Sequence, residues 1–354
     1  MTHPDLLVAG GGPTGLATAI HAAAQGMKVV VIEPHAGVID KACGEGLMPA
    51  GVKALSRLGV DVARSRPFVG IRYVGQGRSA EASFHDGDGL GIRRTVLHAA
   101  MVERCAALGV EQVRGRVGDI VQDSDSVRVL VDGTALAAPW LVAADGLRSS
   151  IRDRLGLALP PRLPPRLGLR QHFEVAPWSR HVEVHWRADV SCEAYVTPVA
   201  DDLVGVAMLF GKDWRRPPGQ TPFNALLDGF PELRERLAGV SVASHPRGAG
   251  PFEQRVKRRV HHRVLLAGDA AGYLDPLTGE GLKLGFLGAE ALVDALLANA
   301  PGRWEADWRR ITRAYRWGTL GLLGVTRMNW ARRQLVPVLS RAPWLMATSL
   351  RLLG

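Results

Sequence analysis

The stretch "DLLVAGGGPTG" at residues 5–15 decides the fold. Asp5-Leu6-Leu7-Val8-Ala9 reads as a buried strand, because the apolar run is too short for a helix and ends in glycines. The Ala-rich segment 16–25 reads as a helix that Gly26 ends, and "KVVVIE" at 28–33 as a second strand. Within this strand–helix–strand unit Gly10, Gly12 and Gly15 keep a G-x-G-x-x-G spacing, and Glu33 follows 18 residues after the last glycine. That is the dinucleotide fingerprint in the context it needs. The first glycine permits a tight turn, the second lets backbone approach a pyrophosphate, and the third lets helix pack on strand. Pro13 and Thr14 open the helix, whose N-terminus offers unpaired N–H groups and partial positive charge to phosphates. Glu33 is expected to accept from the adenosine ribose hydroxyls.

The fingerprint alone does not choose between NAD and FAD. A short NAD enzyme would usually continue in βαβ units, but this chain breaks into "KACGEGLMPAGVKALSRLGV" at 41–60, a glycine loop and a helix. A β-like stretch follows at 70–84, then a basic loop and amphipathic helix at 89–110 and strands at 127–133 and 138–146. The last of these ends in Asp145-Gly146. Residues 157–170 are rich in Pro, Leu and Arg, and 170–250 read as strands with turns. The segment "VLLAGDAAGYLDPLTGEG" at 264–281 then returns the chain to a strand, 263–267, that ends at Gly268-Asp269, and a helix is expected over 282–297. The expected class is α/β: a Rossmann-like nucleotide domain interrupted by a mostly β substrate domain, with a C-terminal helical segment.

The chain of 354 residues, 47% hydrophobic, is ample for a full core. Its three cysteines, Cys43, Cys105 and Cys192, form neither a disulfide framework nor a zinc pattern, which fits a reducing cytoplasm; no metal site is expected. No secretory signal or membrane-spanning run is seen. Residues 301–354 hold ten Arg against Glu305 and Asp307, so this tail carries +8 of the net charge of +10, together with five of the nine Trp. No nucleic-acid recognition motif accompanies that charge. Two readings of the tail stand: a helical cap with solvated Arg, or an amphipathic segment, interrupted at Pro337, that meets a lipophilic substrate or a membrane surface.

Three ordered motifs resemble the FAD-dependent oxidoreductases of the aromatic-hydroxylase-like fold, the group A flavoprotein monooxygenases and their relatives. They are Gly10-x-Gly12-x-x-Gly15 with Glu33, Asp145-Gly146-x-Arg148-Ser149-x-x-Arg152, and Ala267-Gly268-Asp269-Ala270-Ala271 with Pro276 and Gly279-x-Gly281. Within the fold, "CGEGL" at 43–47, "EAYVTPV" at 193–199 and the 268–281 segment look most similar to the geranylgeranyl-reductase-like branch. The resemblance implies an FAD-binding domain over 1–70, 89–160 and 251–300, a substrate domain over 71–88 and 161–250, and a helical cap over 301–354. It implies that Asp269 bonds the ribityl chain, that Pro276 lies beside the isoalloxazine, and that Gly279 and Gly281 bring N–H groups to its pyrimidine edge. Of Arg93 and Arg94, one is expected near the flavin and the other at the surface. Cys43 and Gly44 are expected over the ring, with Cys43 either a functional thiol or a small buried residue. Tyr195, His172 and His185 fall in the predicted substrate sheet, and one of them is expected to bond substrate. His261-His262 reads as a surface turn.

The activity implied is FAD-dependent, NAD(P)H-consuming monooxygenation of a lipophilic polyketide or isoprenoid-type substrate, by hydroxylation or epoxidation. The alternatives are saturation of isoprenoid double bonds and a flavin-binding module without turnover. The flavin halogenases' Trp-x-Trp-x-Ile-Pro motif is absent. No catalytic acid or base stands out beyond Cys43 and Tyr195.

Overall fold

The strand read at 5–9 runs as Leu6–Ala9 in the middle of a six-stranded sheet. The computed structural model describes residues 3–212 and 214–353, with side chains at all of these but 349 and 351–353. From one edge the sheet is ordered Val260–His261, Val264–Leu266, Trp140–Ala143, Leu6–Ala9, Val29–Glu33 and Glu111–Arg114. All neighbours are parallel except the Val260–His261 edge. The inner strands are continuous apolar runs because both faces are covered, one by the helices Pro13–Ala24, Arg94–Ala107 and Gly281–Leu297 and the other by a three-stranded antiparallel sheet of Val117–Gln122, Val127–Val131 and Thr134–Ala138. Their register sets Ala9, Ala143 and Leu266 side by side. The three motif loops therefore leave the same edge, where open α/β sheets bind ligands.

The Pro13–Ala24 helix packs against the Gly281–Leu297 helix. Gly285 makes this approach possible, since a Cβ there would lie 2.5 Å from Thr14 Oγ1. Trp304 is fully buried and donates from its indole to the Leu266 carbonyl at 2.9 Å, which pins the C-terminal helices to the end of the last parallel strand.

A seven-stranded sheet stands beyond that edge, ordered Arg247–Ala249, Arg166–Phe173, Leu203–Gly211, Cys192–Ala200, His181–Trp186, Gly70–Gly75 and Arg78–Ser83. Its strands alternate cleanly. Ala194, Val196, Val206 and Met208 face a second core with Phe223, Leu226 and Leu233 of two short helices. Tyr195, Thr197, Ala207 and Leu209 face the other way, into a cavity.

The tail forms three helices, Arg303–Arg327, Asn329–Arg341 and Pro343–Leu353. Contrary to the expected interruption at Pro337, that residue lies inside the second helix; the breaks fall at Met328 and Ala342. A proline cannot bond the carbonyl four residues before it. That carbonyl, of Arg333, instead accepts from Gln76 Nε2 at 2.8 Å. A distant side chain thus satisfies the group that the proline leaves open.

Close backbone approach also joins the two large units. A Cβ at buried Gly91 would lie 1.8 Å from the Pro198 carbonyl oxygen. Gly91→Ala is expected to lower the stability of the apoprotein by about 1–3 kcal/mol, the usual cost of forcing volume into packed structure. Urea unfolding with an unchanged midpoint would contradict this contact.

Candidate functional site

A cavity of about 950 Å³ lies between the edge of the parallel sheet, the inner face of the seven-stranded sheet and the C-terminal helices. Of the residues singled out for a cofactor, Gly12, Pro13, Thr14, Cys43, Gly44 and Arg94 line it, as do Asp145, Gly146, Asp269, Pro276, Gly279 and Gly281. Gly10, Gly15, Glu33 and Arg93 do not line it.

The glycines divide by what surrounds them. A Cβ at Gly10 would lie 2.4 Å from the Ala144 oxygen, and one at Gly15 only 1.9 Å from the Gly10 oxygen. These two are small so that strand, turn and helix can touch. A Cβ at Gly12 would meet no protein atom within 4 Å, at an ordinary φ of −73°. The space at Gly12 is open and faces the cavity. Gly12 caps the first helix without a side-chain bond, and the helix at Gly281 likewise has no side-chain cap. Both helix starts, with their free N–H groups, border the cavity. The Glu33 carboxylate accepts the Gly11 N–H at 2.7 Å and two bonds from His35. These bonds outweigh burial and hold it below the usual carboxylate range.

Arg93 and Arg94 part company because a helix starts between them. Arg94 is buried and faces the cavity, whereas Arg93 lines a smaller recess with Arg64 and Asp202. Burial pushes the Asp269 carboxyl up, against the pull of Arg94 and Lys41. Burial likewise raises the Cys43 thiol, which keeps it protonated. Asp145 accepts the Ile151 N–H through Oδ2 at 3.2 Å, but its Oδ1 is buried without a partner, as is Arg94 Nε. Unpaired buried polar atoms are costly. Two of them at the cavity wall, beside an open glycine and two uncapped helix starts, fit a phosphate- and hydroxyl-rich ligand.

Two buried charge clusters could not be foreseen from local sequence. In the first, Glu45 sits in the left-handed region at φ 60°, a conformation that only a surrounding network sustains. Its carboxylate accepts from Arg94 N at 2.8 Å and from His172 Nε2 at 2.6 Å. Arg170 donates to His172 Nδ1 at 3.2 Å. Arginine has no acceptor, so Nδ1 must accept and Nε2 carries the proton toward Glu45. Arg170 also bonds Asp40 and the Lys41 carbonyl, and Thr197 donates to the Gly44 carbonyl at 2.7 Å. The Cys43–Gly46 loop is therefore anchored on the seven-stranded sheet.

In the second cluster, Arg166 bridges Glu193 and Asp275, while Tyr315 donates to the Asp275 carbonyl and Tyr195 to the Leu277 carbonyl, both at 2.9 Å. These bonds clamp the turn that carries Pro276. The Tyr195 hydroxyl is committed to that turn. His172 is likewise engaged with Glu45, and His185 pairs with Glu183 on the strand face away from the cavity. Tyr73, missed in the sequence, lines the cavity instead.

This arrangement defines a class: a nucleotide-binding flavoprotein fold whose cofactor crevice opens into an apolar chamber. The chain belongs to the family described as "FAD binding domain", whose sequence profile matches residues 4–307. It is an FAD-dependent oxidoreductase of the aromatic-hydroxylase-like fold. It is 28% identical over 343 residues to a menaquinone reductase of Mycobacterium tuberculosis, covering 87% of this chain and 83% of that protein. It is 29% identical over 323 residues to a rifampicin monooxygenase of Streptomyces venezuelae, covering 86% of this chain and 66% of that protein. A flavin-dependent brominase superposes with a TM-score of 0.82 at 20% identity, over 100% of this chain and 94% of that one. At that identity the likeness is one of fold alone.

Two outcomes follow from the geometry. Gly12→Ala should leave the apoprotein within about 1 kcal/mol of wild type, the range of N-cap effects, while FAD titration shows binding strongly weakened. Intact FAD affinity would mean the open space at Gly12 is not the cofactor's. Glu193 is fully buried, and burial outweighs Arg166 and lifts its carboxyl from the ordinary 4.5 to about 7. The folded chain then binds more protons than the unfolded chain between these values, so this group's contribution to stability falls as pH rises through them. Glu193→Gln removes the titration. From about pH 5 to about pH 8 the wild type should lose roughly 1–3 kcal/mol of stability relative to the variant; parallel urea-unfolding profiles would refute it.

Proposed function

We propose that this flavoenzyme is a monooxygenase that hydroxylates or epoxidises a lipophilic polyketide or isoprenoid-type substrate, with NAD(P)H as reductant and O2 as oxygen donor. The observation that carries this reading is the chamber beyond the cofactor crevice. Ile71, Val182, Val184 and Leu209 wall it on the sheet side, and Leu322, Leu335 and Leu339 on the helical side. Such walls exclude water and match an apolar ligand. The division proposed is a cofactor portion over 1–70, 89–160 and 251–300, a substrate portion over 71–88 and 161–250, and a cap over 301–354.

FAD, when bound, supplies the two-electron chemistry. The chain's own residues would hold and orient it: Gly12 and the first helix N-terminus the pyrophosphate, Glu33 the adenosine end, and Asp145, Asp269 and Arg94 the middle. The uncapped start of the Gly281–Leu297 helix, at the cavity wall, would offer its partial positive charge to the flavin. The anchored Cys43–Gly46 loop and the clamped Pro276 turn would flank the ring. Cys43, held as a thiol, is a neutral neighbour there rather than a nucleophile.

A second reading, saturation of an isoprenoid double bond, is favoured by one observation. The chain spans 83% of the menaquinone reductase and 87% of a digeranylgeranylglycerophospholipid reductase of Methanopyrus kandleri, against 66% of the rifampicin monooxygenase and 78% of a para-nitrophenol 4-monooxygenase of Pseudomonas. Turnover of the FAD-loaded enzyme with NAD(P)H, candidate substrates and isotopically labelled O2 separates the two. Labelled oxygen in the product supports the first; a saturated product formed without O2 replaces it with the second.

A further inference from the structure

We propose that the three C-terminal helices form a docking face for an anionic phospholipid bilayer, and that the substrate chamber opens at its rim. Nine tryptophans occur in the chain, and among the described residues the exposed ones are Trp317, Trp330 and Trp344, at 74%, 70% and 65% exposure, one on each helix.

The Arg303–Arg327 helix buries one stripe and carries a second, mixed apolar and basic stripe at the surface. Trp308, Thr312, Tyr315, Thr319 and Leu323 form the buried stripe. Arg313, Trp317, Leu320 and Arg327, spaced at i, i+4, i+7 and i+14, form an exposed one. Trp317 and Leu320 in it are large apolar side chains left at the surface. The stripe's flanking charge is uncompensated as well. Arg309, Arg313, Arg316, Arg327, Arg333 and Arg341 are exposed, and none forms an ion pair among the described residues. The layer's two acids are already engaged, Glu305 with Arg259 and Asp307 with Arg303 and Arg310.

Aromatic rings favour the headgroup level of a bilayer, and clustered arginines are drawn to anionic headgroups. No helix among the described residues is long and apolar enough to cross a membrane, so the contact is peripheral. Trp317 and Leu345 are exposed outside and also line the chamber, which makes the outer patch continuous with its inner apolar wall. A lipophilic molecule could pass from bilayer to chamber without crossing water. The proposal rests on the proposed function only for this purpose, substrate delivery; the docking itself is measured without turnover.

The test is co-sedimentation of the full-length, FAD-loaded protein with vesicles of phosphatidylcholine alone or mixed with phosphatidylglycerol. Wild type should bind the mixed vesicles, with binding weakened by salt, and bind pure phosphatidylcholine much less. Arg313→Gln with Arg327→Gln and Arg333→Gln should weaken binding roughly tenfold or more, since each basic residue near an anionic surface contributes severalfold. Trp330→Ala with Trp344→Ala, which leaves the chamber wall intact, should also lose binding and the blue shift of tryptophan fluorescence on vesicles. Flavin content and melting temperature confirm folding of each variant. Three results would overturn the proposal: no vesicle binding by wild type, equal binding to both vesicle types, or a lipid-independent dimer that buries these tryptophans. Vesicle binding without oxygenation or reduction of any lipophilic substrate would overturn the proposed function and leave the docking face standing.

Discussion

Everything at the site depends on how closely the first helix approaches the sheet. Gly15 lies so near the Gly10 carbonyl that a single added carbon would sit 1.9 Å from its oxygen. This contact fixes where the helix begins and therefore where its free N–H groups point. The parallel register then brings the loops after Ala9, Ala143 and Leu266 to the same edge. Three stretches far apart in sequence become walls of one crevice because the sheet ends there and the helix cannot shift.

The second constraint is electrostatic. Two arginines, Arg166 and Arg170, are buried between the seven-stranded sheet and the loops of the nucleotide unit. A buried cation is tolerated only when paired and hydrogen-bonded. Arg170 secures the loop at Asp40–Glu45, and Arg166 secures the turn at Asp275–Leu277. Breaking either pair would leave an uncompensated buried charge, so the two loops that flank the chamber are held in place by large penalties rather than by large gains. The chamber is thus rigid where the cofactor motifs meet it and covered by helices elsewhere.

Much of the fold is legible in the sequence because the signals are local. Glycine spacing encodes close backbone contact, and doubly buried strands read as unbroken apolar runs. What is not legible is long-range. Glu45 and His172 are 127 residues apart, and nothing near either one announces the other. Pro337 reads as a breaker until Gln76, 257 residues before Arg333, supplies the missing hydrogen bond. Arg93 and Arg94 look equivalent in sequence and are separated only by where the helix starts. Tyr195 has the right face but a committed hydroxyl, which a strand pattern cannot express.

The most direct measurement of the central claim is a crystal structure of the FAD-loaded protein. One FAD per chain is expected, its pyrophosphate over Gly12 and its ring between the Cys43–Gly46 loop and the Pro276–Gly281 turn. FAD bound elsewhere on the chain, or reversed within the crevice, would contradict it.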